Sequence, residues 1–287
     1  FCAVIGLLGL SAGVTALLAL TGGIERLYLT TVEIKGYSTA VDAETGLSTG
    51  AIYLPFSMAY NRFTTDEVEL FRFCGFFREA GIFQAFCCFA FAYESFTRAR
   101  RWVLVGAIFG VAAALSTIGI GLMFLQFGLV YALRQPGRLR GRLLGLVVLS
   151  GFAVAAILFT PHVGLLAKSI THYTTVADRE AAMSRSLDLL MTNPIGTGPY
   201  TWFGQNAGIN LIAQAGYIGA IGFLLQLFIM SGWRLRIDRE SLKRIACCAP
   251  LVLTAVASQP LNGAPMIYVM ALAMIPLQQA MPLWFRV

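Results

Sequence analysis

The chain has 287 residues, 57% of them hydrophobic and only 12% charged, with a mean hydropathy of +0.73. An ordinary water-soluble domain carries roughly 25% charge and does not gather its apolar residues into such long blocks, so composition points to a polytopic membrane protein. The net charge of +7, from 21 basic and 14 acidic residues, does not indicate nucleic acid. Twelve of the 21 basic residues fall in three clusters between apolar runs: Arg98, Arg100 and Arg101; Arg134, Arg138, Arg140 and Arg142; Arg234, Arg236, Arg239, Lys243 and Arg244. That is the pattern of cytoplasmic loops.

An apolar run begins at Phe1 without the charged start or cleavage site of a signal peptide, and the expectation is a fragment with earlier helices missing. Residues 2–21 form the first expected span. Residues 22–80 are a first outer segment, rich in acidic residues. Its Leu27–Glu33 stretch alternates weakly, as either a short strand or an irregular loop. Residues 81–96 form the next span. From 102 to 133 the chain is apolar for about 48 Å of helix, too long for one span. Ser116-Thr117-Ile118-Gly119 suits a turn between helices at 102–116 and 119–134. A helix at 143–160 leads to a second outer segment, 161–208. Runs at 209–231, 245–258 and 265–282 complete the chain. The expected fold is all-α: a single transmembrane domain, 1–287, with about eight helices and two long extracytoplasmic segments. Alternation puts the three arginine clusters on one side and 11 of the 14 acidic residues on the other.

The six cysteines show neither a disulfide framework nor a zinc spacing. His162 and His172 have no metal-ligand pattern, and there is no nucleotide loop, so neither a metal nor a cofactor is expected. Chemistry is more plausible where charge meets apolar helix. Arg72, Arg78 and Glu79 lie at the outer mouth of the second span. Two guanidiniums there suit a phosphate or diphosphate headgroup through forked donors, or they anchor the interface by snorkelling. Arg179 and Arg185 lie in the second outer segment, before the rigid Asn193-Pro194-Ile195-Gly196-Thr197-Gly198-Pro199 turn. Gln205, Asn206, Asn210 and Gln214 form a polar group at the start of the 209–231 run. These amides suit sugar hydroxyls or helix–helix hydrogen bonds.

The stretch Arg72-Phe73-Cys74-Gly75-Phe76-Phe77-Arg78-Glu79-Ala80-Gly81 resembles the RxxGxxxEPG signature of the O-antigen polymerase and O-antigen ligase-like superfamily, with Ala80 where proline is usual. Leu115-Ser116-Thr117-Ile118-Gly119 is similar to that family's T-x-S-x-x-G turn. Arg179 followed by Pro194, Gly196 and Gly198 resembles its SR…P-x-x-G-x-G pattern. Gln205-Asn206, followed by Ala213-Gln214-Ala215-Gly216-Tyr217-Ile218-Gly219, sits where it reads HN…AELGxxG.

The resemblance implies a metal-independent glycosyltransferase of the bacterial cytoplasmic (inner) membrane. It joins undecaprenyl-diphosphate-linked oligosaccharide repeat units on the outer face, with a chain-length regulator as a partner alongside membrane lipids. Arg179, Arg72 and Glu79 are its expected catalytic residues. The arginines stabilise charge on the departing diphosphate, and Glu79 takes the acceptor proton or orients an arginine. Arg78, Arg185, Gln205, Asn206 and Asn210 are expected to bind substrate. Gln205 replaces the histidine expected of a ligase that transfers glycan to lipid A, which favours the polymerase. A transporter of polysaccharide or lipid and a non-catalytic scaffold are the remaining alternatives.

Overall fold

The computed structural model describes residues 1–33, 49–64, 69–77, 79–134, 139–159, 187–197 and 239–257, with residues 166, 181, 184, 185, 216, 217 and 221. The chain divides into two compact units, Phe1–Ala167 and Lys168–Val287. Helix accounts for 74% of the described residues, in keeping with a mainly helical chain.

The first unit contains α1 (Cys2–Leu20), a 3-10 turn at Ile24–Leu27, β1 (Tyr28–Glu33), β2 (Thr49–Tyr53), β3 (Ser57–Thr64) and β4 (Glu69–Phe73). Four helices follow: α2 (Ala80–Phe96), α3 (Arg101–Ala114), α4 (Thr117–Arg134) and α5 (Leu139–Phe159). The chain is therefore not all-α: the four strands form an antiparallel meander in sequence order. Of the two forms open to Leu27–Glu33, the strand is the one realised. Thr30, Thr31 and Val32 favour extended backbone, and an aromatic face supplies the packing. Tyr28 lies opposite Tyr53 in register, with ring centroids 6.1 Å apart. Tyr53 also meets Phe71 and Phe73 edge-on, each at 6.1 Å.

The predicted break in the long apolar run is present. α3 ends at Leu115, which adopts a left-handed φ of 45°, and the Ser116 carbonyl accepts the Ile120 N–H of α4 at 3.0 Å. α2 is the centre of the unit and packs on α1, α3 and α4, while α4 also packs on α5. Phe83, Phe86, Phe89 and Phe91 of α2 are all buried, as expected for a helix that is apolar all round.

α1 and α3 approach at backbone distance. The side of Gly6 faces Val103, that of Gly9 the Gly106 carbonyl, and that of Gly13 the Phe109 side chain. The paired numbers rise together, so the two helices run in the same direction. A Cβ on Gly9 or Gly106 would overlap a carbonyl of the facing helix. Gly9/Gly13 and Gly106/Gly110 each have the four-residue spacing that permits such contact.

The sheet covers one end of this bundle. Thr15 Oγ1 donates to the Leu54 carbonyl at 3.2 Å, and Arg72 Nε donates to the Ala114 carbonyl at 3.2 Å. Both partners are near the C-termini of α1 and α3. At the opposite end, Glu94 is buried, 1% exposed, and accepts from Arg100 Nε at 3.0 Å and from Arg100 Nη2. Burial of Glu94 makes this pair a clamp on the α2–α3 connection. The carboxylate's hydrogen bond holds the Arg100 guanidinium pKa up.

α1 is the one described helix both long and apolar enough to cross a membrane. Ala80–Phe96, Arg101–Ala114, Thr117–Leu133 and Val147–Phe159 are shorter apolar helices, so among the described residues one helix, where about eight are expected, is long and apolar enough to span. α3 is short because the Leu115 cap stops it after 14 residues, in keeping with the short helix expected at 102–116.

In the second unit, α6 (Arg239–Ala257) covers residues 245–257 of the 245–258 run and begins six residues earlier. Arg239, Glu240, Lys243 and Arg244 are good helix formers, which carries the helix back into the charged cluster. Cys247, Leu251 and Thr254 are buried at helical spacing. Of the 209–231 run, residues 216, 217 and 221 are described, and the 265–282 run lies outside the described residues.

Candidate functional site

The strand–turn–helix unit from Glu69 to Phe96 carries the first candidate stretch. Side chains alternate along β4, so Phe71 and Phe73 join the aromatic face while Arg72 takes the other. Arg72 is paired in register with Asn61 of β3. Its Nε–H caps the last carbonyl of α3, where the negative end of the helix dipole favours a cation. Gly75 turns the chain at φ 58°, and a Cβ there would press on the Phe83 ring at 3.1 Å. The turn is fixed by the Phe77 N–H bonded to the Cys74 carbonyl at 2.9 Å.

Glu79 then occupies the N-cap of α2 with extended backbone. Its carbonyl accepts the Ile82 and Phe83 N–H groups, both at 3.1 Å. A carboxylate at this position meets the positive end of the α2 dipole, which suits it to holding negative charge. Between the two charged residues lies Cys74, 1% exposed, its thiol donating to the Met58 carbonyl at 3.1 Å. Burial pushes the Cys74 thiol well above the ordinary range; Arg72 pulls it down and Glu79 pushes it further up. The charges of Arg72 and Glu79 are thus both felt at one buried atom.

Polar groups continue beyond this stretch. Gln84, one turn beyond the start of α2, is fully buried with its amide against Gly119 of α4, where no Cβ fits. Neither Gln84 amide atom has a hydrogen-bond partner among the described residues. Ser116 and Thr117 at the start of α4 are also buried. Gln84 was not singled out in the sequence, although a glutamine inside an otherwise apolar run carried the signal.

Of the expected catalytic and substrate-binding residues, the structure places Arg72 at the C-terminus of α3 and Glu79 at the N-cap of α2, at the same end of the unit. Arg185 is an exposed helical residue of the second unit. Arg78, Arg179, Gln205, Asn206 and Asn210 lie outside the described residues. Within the second unit, two of the singled-out stretches do meet. The Tyr217 N–H donates to the Pro194 carbonyl at 2.9 Å, and the Gly196 N–H closes the turn on the Asn193 carbonyl at 2.9 Å. Gly216, at φ 65°, approaches the Ile195–Gly196 peptide so closely that a Cβ would overlap it.

In comparisons with known proteins, no family model matches the chain, and no curated protein and no solved structure matches it.

Proposed function

We propose that this chain is a multi-pass bacterial inner-membrane glycosyltransferase that joins undecaprenyl-diphosphate-linked oligosaccharide repeat units on the outer face. The observation that carries this reading is the placement of Arg72 on the C-terminus of α3 and of Glu79 at the N-cap of α2, at the end of the helical unit opposite Arg98, Arg100 and Arg101. In this reading the arginine clusters face the cytoplasm, the sheet faces outward, and the short apolar helices are spans of a polytopic fold.

Arg72 and Arg179 stabilise the negative charge that grows on the departing lipid diphosphate, and neither metal nor nucleotide is required. Glu79 orients the arginine side of the site or takes the proton of the acceptor hydroxyl. Arg78, Arg185, Gln205, Asn206 and Asn210 hold the diphosphate and the sugars. The glutamine at position 205 cannot accept a proton at neutral pH, which favours a polymerase over a ligase.

The test uses full-length protein in detergent with purified undecaprenyl-diphosphate repeat units, its products resolved on a gel. A polymer ladder that is lost in Arg179→Ala supports the proposal, with an expected fall of about 10²–10³-fold in rate for one lost charge-stabilising donor. Folded protein that makes no ladder from its native repeat unit overturns it.

A further inference from the structure

α3 is too short for the job that this reading gives it, and the sheet makes up the difference. At 1.5 Å per residue, the 14 residues of α3 extend about 21 Å, whereas a bilayer core is about 30 Å thick. α3 starts in the basic cluster at Arg101 and stops at Ala114, so its shortfall of about 9 Å lies entirely at the outer end. That is where Arg72 of β4 is bonded to Ala114. α1 gives an independent depth mark. Thr15, bonded to the Leu54 carbonyl, is five residues before the end of α1 at Leu20, about 7.5 Å inside it.

The chain at this depth has the chemistry that lipid demands. In the β2–β3 turn, Leu54, Phe56 and the neighbouring Phe76 are exposed at 39%, 56% and 52%, and the rings of Phe56 and Phe76 lie 6.4 Å apart. Non-helical backbone tolerates the apolar slab only when its polar groups are satisfied internally. Here the Leu54 N–H donates to the Leu27 carbonyl at 2.7 Å and the Phe56 N–H to the Tyr53 carbonyl at 2.9 Å. The Leu54 carbonyl accepts from Thr15, and Pro55 has no N–H. Phe56 holds its ring there at φ 107°, a backbone conformation that favours glycine. Beside the turn, α1 exposes Val14, Leu17, Leu18 and Leu20, so the apolar surface is continuous from helix to sheet.

We infer that the Leu54-Pro55-Phe56 turn, with Phe76, is inserted among the acyl chains of the outer leaflet, so that the β2–β3 end of the sheet is a membrane-embedded part of the protein. This inference rests on the membrane reading above, and the experiment separates the two. Nitroxide spin labels are placed singly at Phe56→Cys, Val14→Cys and Glu25→Cys of the full chain, in nanodiscs of phosphatidylethanolamine and phosphatidylglycerol. Cys248, the native cysteine that is not fully buried, is replaced by serine. Collisions with oxygen, which concentrates in lipid, are compared with collisions with a water-soluble nickel chelate. The expected result is an oxygen-to-nickel ratio at position 56 matching that at 14 and well above that at 25. A lipid-like ratio at 14 with a water-like ratio at 56 overturns the inference and leaves the membrane reading standing. Water-like ratios at both positions overturn both. Shielding of position 56 from both reagents means that protein covers the turn, and this also overturns it.

Discussion

The two ends of the first unit handle charge in opposite ways. At one end, Glu94 and Arg100 are six residues apart, and a single guanidinium takes up a buried carboxylate. That end is locally encoded and self-sufficient. At the other end, Arg72 reaches a carbonyl 42 residues away, while Glu79 caps a different helix. Both lie within five residues of Cys74 in the chain, but the two helix ends they occupy are brought together only by the tertiary fold. A charge pair that closes on itself holds a structure; charges distributed over two helix ends and a sheet leave a surface on which an anionic ligand has something to recognise.

The sharpest way to break the comparison is to disturb the helix that links the ends. Gly106→Leu would drive a side chain into the backbone of α1, which cannot yield as a side chain would. A loss of about 3 kcal/mol is expected, at the upper end of overpacking costs. Chemical denaturation in detergent should show it, with Gly110→Ala milder because its nearest obstacle is the Cys87 side chain. Next comes Arg100→Ala. It leaves the Glu94 carboxylate buried and unpaired, but Arg100 is 32% exposed, so a cost of about 2–3 kcal/mol is expected, below that of a fully buried pair. The folded fraction should retain its polymerising rate, and replacing both residues by methionine should recover most of the stability.

Arg72→Ala should give the reverse outcome. The lost α3 cap costs about 1 kcal/mol, whereas ladder formation falls about 10²-fold. Equal losses of stability and rate at Arg72 and Arg100 would erase the distinction between the ends.

The smallest effect concerns Cys74. Its thiol is raised in the folded state, so its contribution to stability is complete below the ordinary thiol value of 9.0 and is lost as pH climbs beyond it. A fall of about 1 kcal/mol by about pH 10 is expected, and Cys74→Ala should flatten that part of the curve. A maleimide should label Cys74 in denatured protein and spare it in native protein.

The helix limits were legible because apolar runs and their interruptions are local. The break predicted at Ser116–Gly119 lies beside the observed left-handed Leu115, and residues 2–21 and 81–96 each match a helix to within a residue. The sheet was less legible. Its aromatic face draws Tyr28, Tyr53, Phe71 and Phe73 from three strands, so no single strand shows strong alternation. Arg72 and Glu79 could be chosen as charges beside an apolar run. That Arg72 ends α3 depends on a contact between residues far apart in the chain. Gln84 was passed over because a lone amide in a hydrophobic segment resembles ordinary helix until its surroundings are known.

The glycine contact between α1 and α3 also sets an order of assembly. α1 is made before its partner, which begins at Arg101, after the meander and α2. Until then the groove at Gly6, Gly9 and Gly13 has no occupant of the right shape. Parallel helices cannot meet through a short hairpin, so α2 must cross back before α3 can dock. This joint therefore cannot close until the meander and α2 have been made, and the growing chain must hold α1 in readiness while everything between is built.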